Sequence, residues 1–289
     1  MARKQGYPLL RKLIRTPLWI LTGLVLFTIL QVLLLRFIDP LGTPLMVYRW
    51  IQGDGWDYRW RTLAKISPYL QQAVMASEDQ KFLHHEGFDW EQMERAMEEN
   101  QRRARHRGAS TITMQAAKNL FLWQGQSWAR KGIEAYYVIL IELIWPKWRI
   151  MEVYLNIAEW GRGIYGAEAA ARRHFGSPAS SLTREHAALM AAVLPNPRRW
   201  SPARPTPYIE ERKHSILGQM DQFRPLKKGV KGQKGQWGRP SSPPRPSSSD
   251  DGPLQKGVED AEERATIEKP LLTDEEDLQS NPRLESPGQ

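Results

Sequence analysis

The chain reads as an all-α protein, and three observations carry that expectation. Helix start and stop signals recur at short intervals along it. No run of alternating β-branched residues is long enough to argue for a sheet. One stretch near the N-terminus is apolar over the length that a membrane crossing needs. The 289 residues suffice for one large domain with extensions. There is no cysteine, so thiol catalysis, disulfide frameworks and cysteine-held zinc are excluded. Lys and Arg number 41 against 32 Asp and Glu, and the net charge of +9 points to an anionic partner: nucleic acid, phospholipid or a phosphorylated substrate.

Residues 1–17 carry Arg3, Lys4, Arg11, Lys12 and Arg15 and no acidic residue. Leu18 to Leu35 then runs for eighteen residues without a charge, and Phe37 and Ile38 extend the apolar run past Arg36, whose stem is long enough to snorkel. That length matches a hydrocarbon core of about 30 Å. The following Arg36-Phe37-Ile38-Asp39-Pro40 offers no small-residue cleavage site, so residues 18–38 are expected to remain as a transmembrane signal anchor. The basic flank puts the N-terminus in the cytoplasm and everything after residue 40 outside. Nucleic acid drops out as a partner, and phospholipid or a phosphorylated substrate remains.

Between 41 and 66, Tyr48, Trp50, Trp56, Tyr58 and Trp60 alternate with Arg49, Arg59 and Arg61. Such a mixture suits either a membrane–water interface or the first part of a core. Ser67-Pro68 marks a helix start, with Ser as N-cap and Pro at the first helical position. Leu70, Ala73, Val74 and Ser77 fall on one face of that helix, which delivers Glu78 at its end. Asp89 is placed to cap the next helix, from Trp90 to about Gln101, with Gln92 completing a capping-box pattern. A cationic run, Arg102-Arg103-Ala104-Arg105-His106-Arg107, follows it. Gly108 to Gln115 then leads into a helix through hydroxyl residues, which serve as caps or as an anion site.

The later elements look like scaffold. Ile133, Val138, Ile141, Leu143 and Ile144 form an apolar helix stopped by Pro146. Arg149 to Ala158 gives another, with Ile150, Val153, Tyr154 and Ile157 on one stripe. Gly161, Gly163 and Gly166 punctuate a turn, and Thr183 caps a helix through Leu194 that Pro195 and Pro197 terminate. A last helix is expected from Tyr208 to Phe223. From Pro225 to the end, residues 225–289, the composition is too poor in apolar residues to offset ordering entropy, and the tail is expected to be disordered.

The segment from Ala76 to Trp90 concentrates the ionisable groups: Glu78, Asp79, His84, His85, Glu86 and Asp89 lie in or beside one loop. A connection made only for its geometry would favour Gly, Pro, Ser and Asn. Composition alone leaves open a working site and a solvated acidic turn. A metal held by Glu78, Asp79, His84 and His85 is conceivable in ligand type, but the spacing matches no zinc-binding helix.

Five stretches settle the matter by likeness. Glu78-Asp79-x-x-Phe82-x-x-His85-x-Gly87 is followed by Gly108-x-Ser110-Thr111-x-Thr113-x-Gln115 and by Arg130-Lys131-x-x-Glu134. Then come Arg149-Ile150-Met151-Glu152-x-Tyr154-Leu155-Asn156, continuing to Glu159, Gly161 and Gly166-Ala167-x-x-Ala170, and Leu182-Thr183-x-x-His186-Ala187-x-Leu189 ending in Pro195-Asn196-Pro197. In this order, over about residues 66 to 203, they resemble the signature motifs of the peptidoglycan glycosyltransferase family, enzymes that polymerise lipid II into glycan strands. The resemblance implies a lysozyme-like, two-lobed glycosyltransferase domain over 39–224. It also implies a monofunctional member, since the penicillin-binding transpeptidase domain of bifunctional relatives has no counterpart here.

The chemistry such an enzyme needs agrees. Forming a glycosidic bond from a sugar diphosphate takes a base for the attacking hydroxyl and help for the departing diphosphate, and two carboxylates can divide those tasks. By resemblance, Glu78 is the base at the 4-hydroxyl of lipid II, and Glu134 assists departure of the lipid diphosphate from the growing strand. Glu134 also has a plain reading, as an i,i+4 partner of Arg130. Lys118, Arg130 and Lys131 match the basic donor-site positions, and Ser110, Thr111 and Gln115 match polar substrate contacts. Asp79, Phe82, His85 and Gly87 support the Glu78 loop. Gln126 stands where many members have Arg, which leaves one diphosphate contact to Arg130 or to the 102–107 run. No cofactor is expected to be held by the protein, although a divalent cation, Mg or Mn, could assist the diphosphate. The expected partners are lipid II, the nascent strand, the inner (cytoplasmic) membrane and other cell-wall synthesis proteins. A lysozyme-like hydrolase would need neither anchor nor cationic donor site, and a non-catalytic scaffold would not need both glutamates.

Overall fold

The computed structural model describes residues 8–102, 108–125 and 127–229. Arg3 and Lys4, most of the cationic run (103–107), Gln126 and the chain from 230 onward lie outside the described residues. Within them are ten α-helices: α1 (Pro8–Leu35), α2 (Pro44–Ile51), α3 (Pro68–Glu78), α4 (Trp90–Arg102), α5 (Ile112–Phe121), α6 (Trp128–Ile144), α7 (Lys147–Ile157), α8 (Ala167–Phe175), α9 (Arg184–Val193) and α10 (Pro207–Gln219). Two groups dominate the packing. Helices α3, α9 and α10 pack on one another, while α5 packs on α6 and α7 and α6 meets α1.

The protein is mostly helical, with one small sheet that its sequence did not announce. Strands β1 (Asp57–Tyr58), β2 (Glu159–Gly161) and β3 (Ile164–Tyr165) lie in the order β1-β3-β2, with β1 parallel and β2 antiparallel to β3. Strands of two or three residues are too short to show alternation. The glycine-marked turn is the β2–β3 hairpin. Gly163 there has φ +68°, and a Cβ would stand 2.0 Å from the Asp54 carbonyl oxygen. Only glycine fits both demands.

Helix α1 is the one helix among the described residues long and apolar enough to cross a membrane. Its segment Arg15–Leu35 has 21 residues and a mean hydropathy of 2.5. At about 1.5 Å per residue it spans roughly 31 Å, close to a hydrocarbon core. Its C-terminal half is bonded to the domain. The Thr28 and Tyr136 hydroxyls lie 2.7 Å apart, and Trp145 Nε1 donates to the Val32 carbonyl at 2.8 Å. Arg36 does not simply snorkel: its Nη1 donates to the carbonyl of Ile144, the last residue of α6, at 2.7 Å. A cation there meets the partial negative charge of a helix C-terminus.

Arg149 fastens the joint. Its guanidinium donates to the Leu35 and Ile38 carbonyls and pairs with Asp39 at 2.8 Å and Glu152 at 2.6 Å. Glu152 in turn accepts the Leu63 N–H at 2.7 Å. Helix α7 is therefore not amphipathic with one apolar stripe, as its pattern suggested. All of its residues but the half-buried Trp148 are buried, and its polar side chains are absorbed by specific partners. Asn156 shows the same behaviour, exchanging two hydrogen bonds with the Arg61 backbone.

Of the expected caps, Thr111 and Thr183 each accept an N–H from the first turn of their helix, as do Ser127 and Thr206, which the sequence reading did not single out. Asp89 Oδ1 accepts the Gln92 N–H at 3.0 Å and so caps α4. Ser67 precedes Pro68 as expected, but its hydroxyl makes no cap and donates to the Leu182 carbonyl at 2.9 Å, tying α3 to the start of α9. Helix α6 departs from its reading too. Val138 and Ile141 are buried, whereas Ile133, Ile139 and Leu143 are exposed, so the helix presents a second apolar face outward. The aromatics of 48–60 divide: Tyr48, Trp50 and Trp56 are exposed, while Tyr58 and Trp60 pack on the core. The packed chain runs past the expected boundary at 224, because Leu226 is buried and its N–H donates to Gln71 Oε1 at 2.9 Å.

Replacing Arg149 by Met should leave Glu152 without its cation and the α1 carbonyls without a donor. The expected cost is about 3–5 kcal/mol, a drop of roughly 10 °C in Tm, measured by thermal unfolding in detergent micelles.

Candidate active site

Glu78 is the last residue of α3, and its neighbours explain why the helix stops there. Asp79 leaves the helical region with φ −160°. Its buried carboxylate accepts the Ile112 N–H at 3.0 Å and faces His85 Nε2 at 2.9 and 3.0 Å. The donor from Ile112 lies at the first turn of α5, where helix N–H groups lack internal partners. The Gly87 N–H donates to His85 Nδ1 at 3.1 Å, so that nitrogen carries the lone pair and Nε2–H points at Asp79. Gly87 has φ +89°, and a Cβ would lie 2.4 Å from Val138 Cγ1. Phe82 is fully buried beneath the loop, edge-on to His85. Asp79, Phe82, His85 and Gly87 thus brace one turn of chain immediately after Glu78.

The Glu78 carboxylate is half-buried and accepts Gln115 Nε2 at 2.9 Å. The buried Tyr154 hydroxyl donates to Gln115 Oε1 at 3.2 Å, which fixes the amide so that its NH2 faces the carboxylate. Burial raises the Glu78 carboxyl above the ordinary range, and the Gln115 hydrogen bond, the Arg212 charge and Ser77 pull it part of the way back. Arg212, on α10, donates its Nε–H to the Ala192 carbonyl at 3.2 Å. With Ser77, Ser215 and Gln219 it lines a cavity of about 110 Å³ beside α3.

Glu134 projects from the first half of α6 and is buried. Arg130 Nη1 lies 3.0 Å and Lys131 Nζ 2.5 Å from its two oxygens. The i,i+4 partnership foreseen with Arg130 exists, and Lys131 completes a clamp. Lys118 lies on α5, three residues after Gln115. Burial lowers its affinity for a proton; Glu134 and Glu78 both favour its charge, while Arg130 and Lys131 oppose it. One ammonium on α5 is therefore within electrostatic reach of every charged residue proposed for the site. Gln115 and Lys118, three residues apart, share a helix face and so meet Glu78 and Glu134 together.

The expected polar substrate contacts, Ser110, Thr111 and Gln115, differ in their surroundings. Ser110 is exposed at the end of the loop before α5. Thr111, expected as a substrate contact, is buried: its hydroxyl donates to the Gly87 carbonyl at 2.6 Å and accepts the Met114 N–H. It clamps the loop to α5. Gln115 is occupied by Glu78 and Tyr154, so it orients the carboxylate. Tyr154 and Arg212 were not singled out as site residues: Tyr154 reads as a core aromatic, and Arg212 sits in an ordinary helical pattern beyond the motifs. Among the described residues no three His, Asp or Glu side chains are grouped to hold a metal. Of the four considered for one, Asp79 and His85 are committed to each other and Glu78 to Gln115.

The helical scaffold thus presents one carboxylate oriented by an amide and one clamped by two cations. A family model described as Transglycosylase matches residues 47–221. A biosynthetic peptidoglycan transglycosylase of Rhodospirillum centenum is 54% identical over 210 residues, covering 72% of this chain and 91% of the relative. Proteins of the same description from Pseudomonas fluorescens and Xanthomonas campestris pv. campestris are 50% and 49% identical, over 74% of this chain and 90% and 91% of their own lengths. The chain belongs to the transglycosylase family. It is a peptidoglycan glycosyltransferase, an enzyme of cell-wall synthesis.

Since burial raises the Glu78 carboxyl, a reaction needing its ionised form should have an acid limb in kcat/KM above the ordinary carboxylate range. Arg212→Leu removes a charge that favours ionisation, so the limb should move to still higher pH, checked by pH–rate profiles of the two proteins.

Proposed function

We propose that the enzyme transfers a growing, lipid-diphosphate-linked glycan strand onto the 4-hydroxyl of lipid II with inversion, releasing undecaprenyl diphosphate. The observation carrying this reading is the contrast between Glu78, held by a neutral amide at 2.9 Å, and Glu134, clamped by Arg130 at 3.0 Å and Lys131 at 2.5 Å. In this scheme Glu78 takes the proton from the acceptor hydroxyl as it attacks the anomeric carbon. The bond to the diphosphate breaks on the opposite face, and its charge is met by Lys118, Arg130 and Lys131, with Glu134 yielding those cations to it. Fixed charges aimed at a developing anion are commonly the largest contribution to such a step. Ser110, exposed beside these groups, is available to the substrate. A divalent cation, where one takes part, arrives on the diphosphate; polymerisation assayed with and without chelator tests this.

The same reading makes α1 a single membrane pass with a cytoplasmic N-terminus and a periplasmic catalytic domain. The basic residues before the apolar segment support that orientation. The exposed apolar faces of α1 and α6 support the membrane as a partner.

Purified protein given lipid II should produce long glycan and free lipid diphosphate; shortening of preformed glycan instead would overturn the polymerase reading. Glu78→Gln should lower the rate by about 10²–10⁴-fold, the range for loss of a general base. It should do so without loss of stability. The folded protein raises the Glu78 pKa, so the group's stabilising contribution is present below its unfolded value and is lost as pH rises through the folded value. At neutral pH the Gln variant should therefore melt no lower than the parent. Glu134→Gln should cost about 10²–10³-fold in kcat, measured in the same assay.

A further inference from the structure

Lys147 opens α7 outside the five motifs, and it is buried against charge on one side and the Glu78 loop on the other. Its side chain and that of Glu142 are each 5% exposed, with Nζ 2.7 Å from Glu142 Oε1. The same ammonium donates to the His85 carbonyl at 2.8 Å and lies 4.6 Å from the centre of the Phe82 ring. Glu142 Oε1 also accepts the Thr113 hydroxyl at 2.6 Å. The pair thus gathers three elements: the loop after Glu78, helix α6 with Glu134, and helix α5 with Gln115 and Lys118.

A buried ion pair is a weak device for stability, because desolvation cancels much of the attraction and an apolar pair often serves as well. This one is also incompletely satisfied, since Glu142 Oε2 is buried with no hydrogen-bond partner among the described residues. What an apolar pair could not supply is the hydrogen bond to His85. The His85 ring already faces inward to Asp79, and its carbonyl faces outward to Lys147, so the loop is gripped from both sides. Glu78 lies one residue before that grip begins.

We propose that Lys147, with Glu142 as its counter-ion, is a positioning residue for Glu78: it sets where the loop, and hence the carboxylate, stands relative to the acceptor hydroxyl. This rests on the reading of Glu78 as the base. Lys118, Arg130 and Lys131, which face the diphosphate in that reading, are on other segments. Loss of Lys147 should consequently act on the chemical step and spare substrate binding. A small displacement of a reacting group is enough to cost about 100-fold in rate.

The test compares full-length wild type, Lys147→Arg, the double variant Lys147→Met/Glu142→Met and Glu78→Gln for Tm, kcat and KM on lipid II. The double variant leaves no charge unpaired and should melt near the wild type. Its kcat should fall at least about 10-fold with KM changed less than about twofold, and Lys147→Arg should recover part of the loss. A folded double variant with wild-type kcat overturns the proposal. So does a loss, in either Lys147 variant, that merely tracks the unfolded fraction. Glu78→Gln separates the two ideas: retained activity there refutes the base assignment, whereas an inactive Glu78→Gln beside an active double variant refutes only the positioning role.

Discussion

The carboxylate of Asp79 is the interaction on which the rest of the cleft depends. It ends α3, accepts the first N–H of α5 and receives the His85 ring. With the Gln115–Glu78 hydrogen bond, it sets the last residue of one helix against the first turn of another. Because the carboxylate is buried, each of its bonds is made in a low-dielectric setting where a missing partner is costly. Gly87 closes the same turn from the other side, donating to His85 and accepting from Thr111. The chain between them is short and its shape is over-determined.

Charge burial is the recurring expense of this fold, and it is met by pairing. Arg149 with Glu152 and Asp39, Lys147 with Glu142, and Glu134 with Arg130 and Lys131 are all inside or half inside the protein. Glu78 differs. It has an amide donor and a more distant guanidinium but, among the described residues, no cation in direct contact, and burial raises its pKa. The two glutamates are therefore unlike: one is kept hungry for a proton, the other is saturated with cations. Two carboxyl groups in different surroundings are what an acid–base division of labour requires.

Legibility in the sequence followed the range of the interactions. The long apolar helix α1, the caps at Thr111 and Thr183, the end of α3 at Glu78 and the proline-bounded α9 are set by neighbours within a few residues, and their residues announce them. The sheet did not announce itself, since strands as short as Asp57–Tyr58 carry no period. Nor did the burial of Arg149, Glu152 and Asn156, because their partners lie 89 to 114 residues away in sequence. The same limit applies to the candidate site. Glu78 and Glu134 stood out by type and by motif, whereas the bonds of Thr111 to Gly87 and of Gln115 to Glu78 and Tyr154 carry no sequence signal. Tyr154 and Arg212 gain their relation to Glu78 only from tertiary packing.

The bonds between α1 and α6 have a consequence for reach. The helix bearing Glu134 is stitched to the apolar anchor through Tyr136, Trp145 and the cap at Ile144. Slack in a linker would let a domain bob above a lipid surface and meet a tethered head group at varying heights. On the proposed reading, with α1 in a bilayer and the substrate held there by its own tail, rigid helices would set the altitude of the cleft as on a surveyor's staff, and the substrate would need only to arrive laterally.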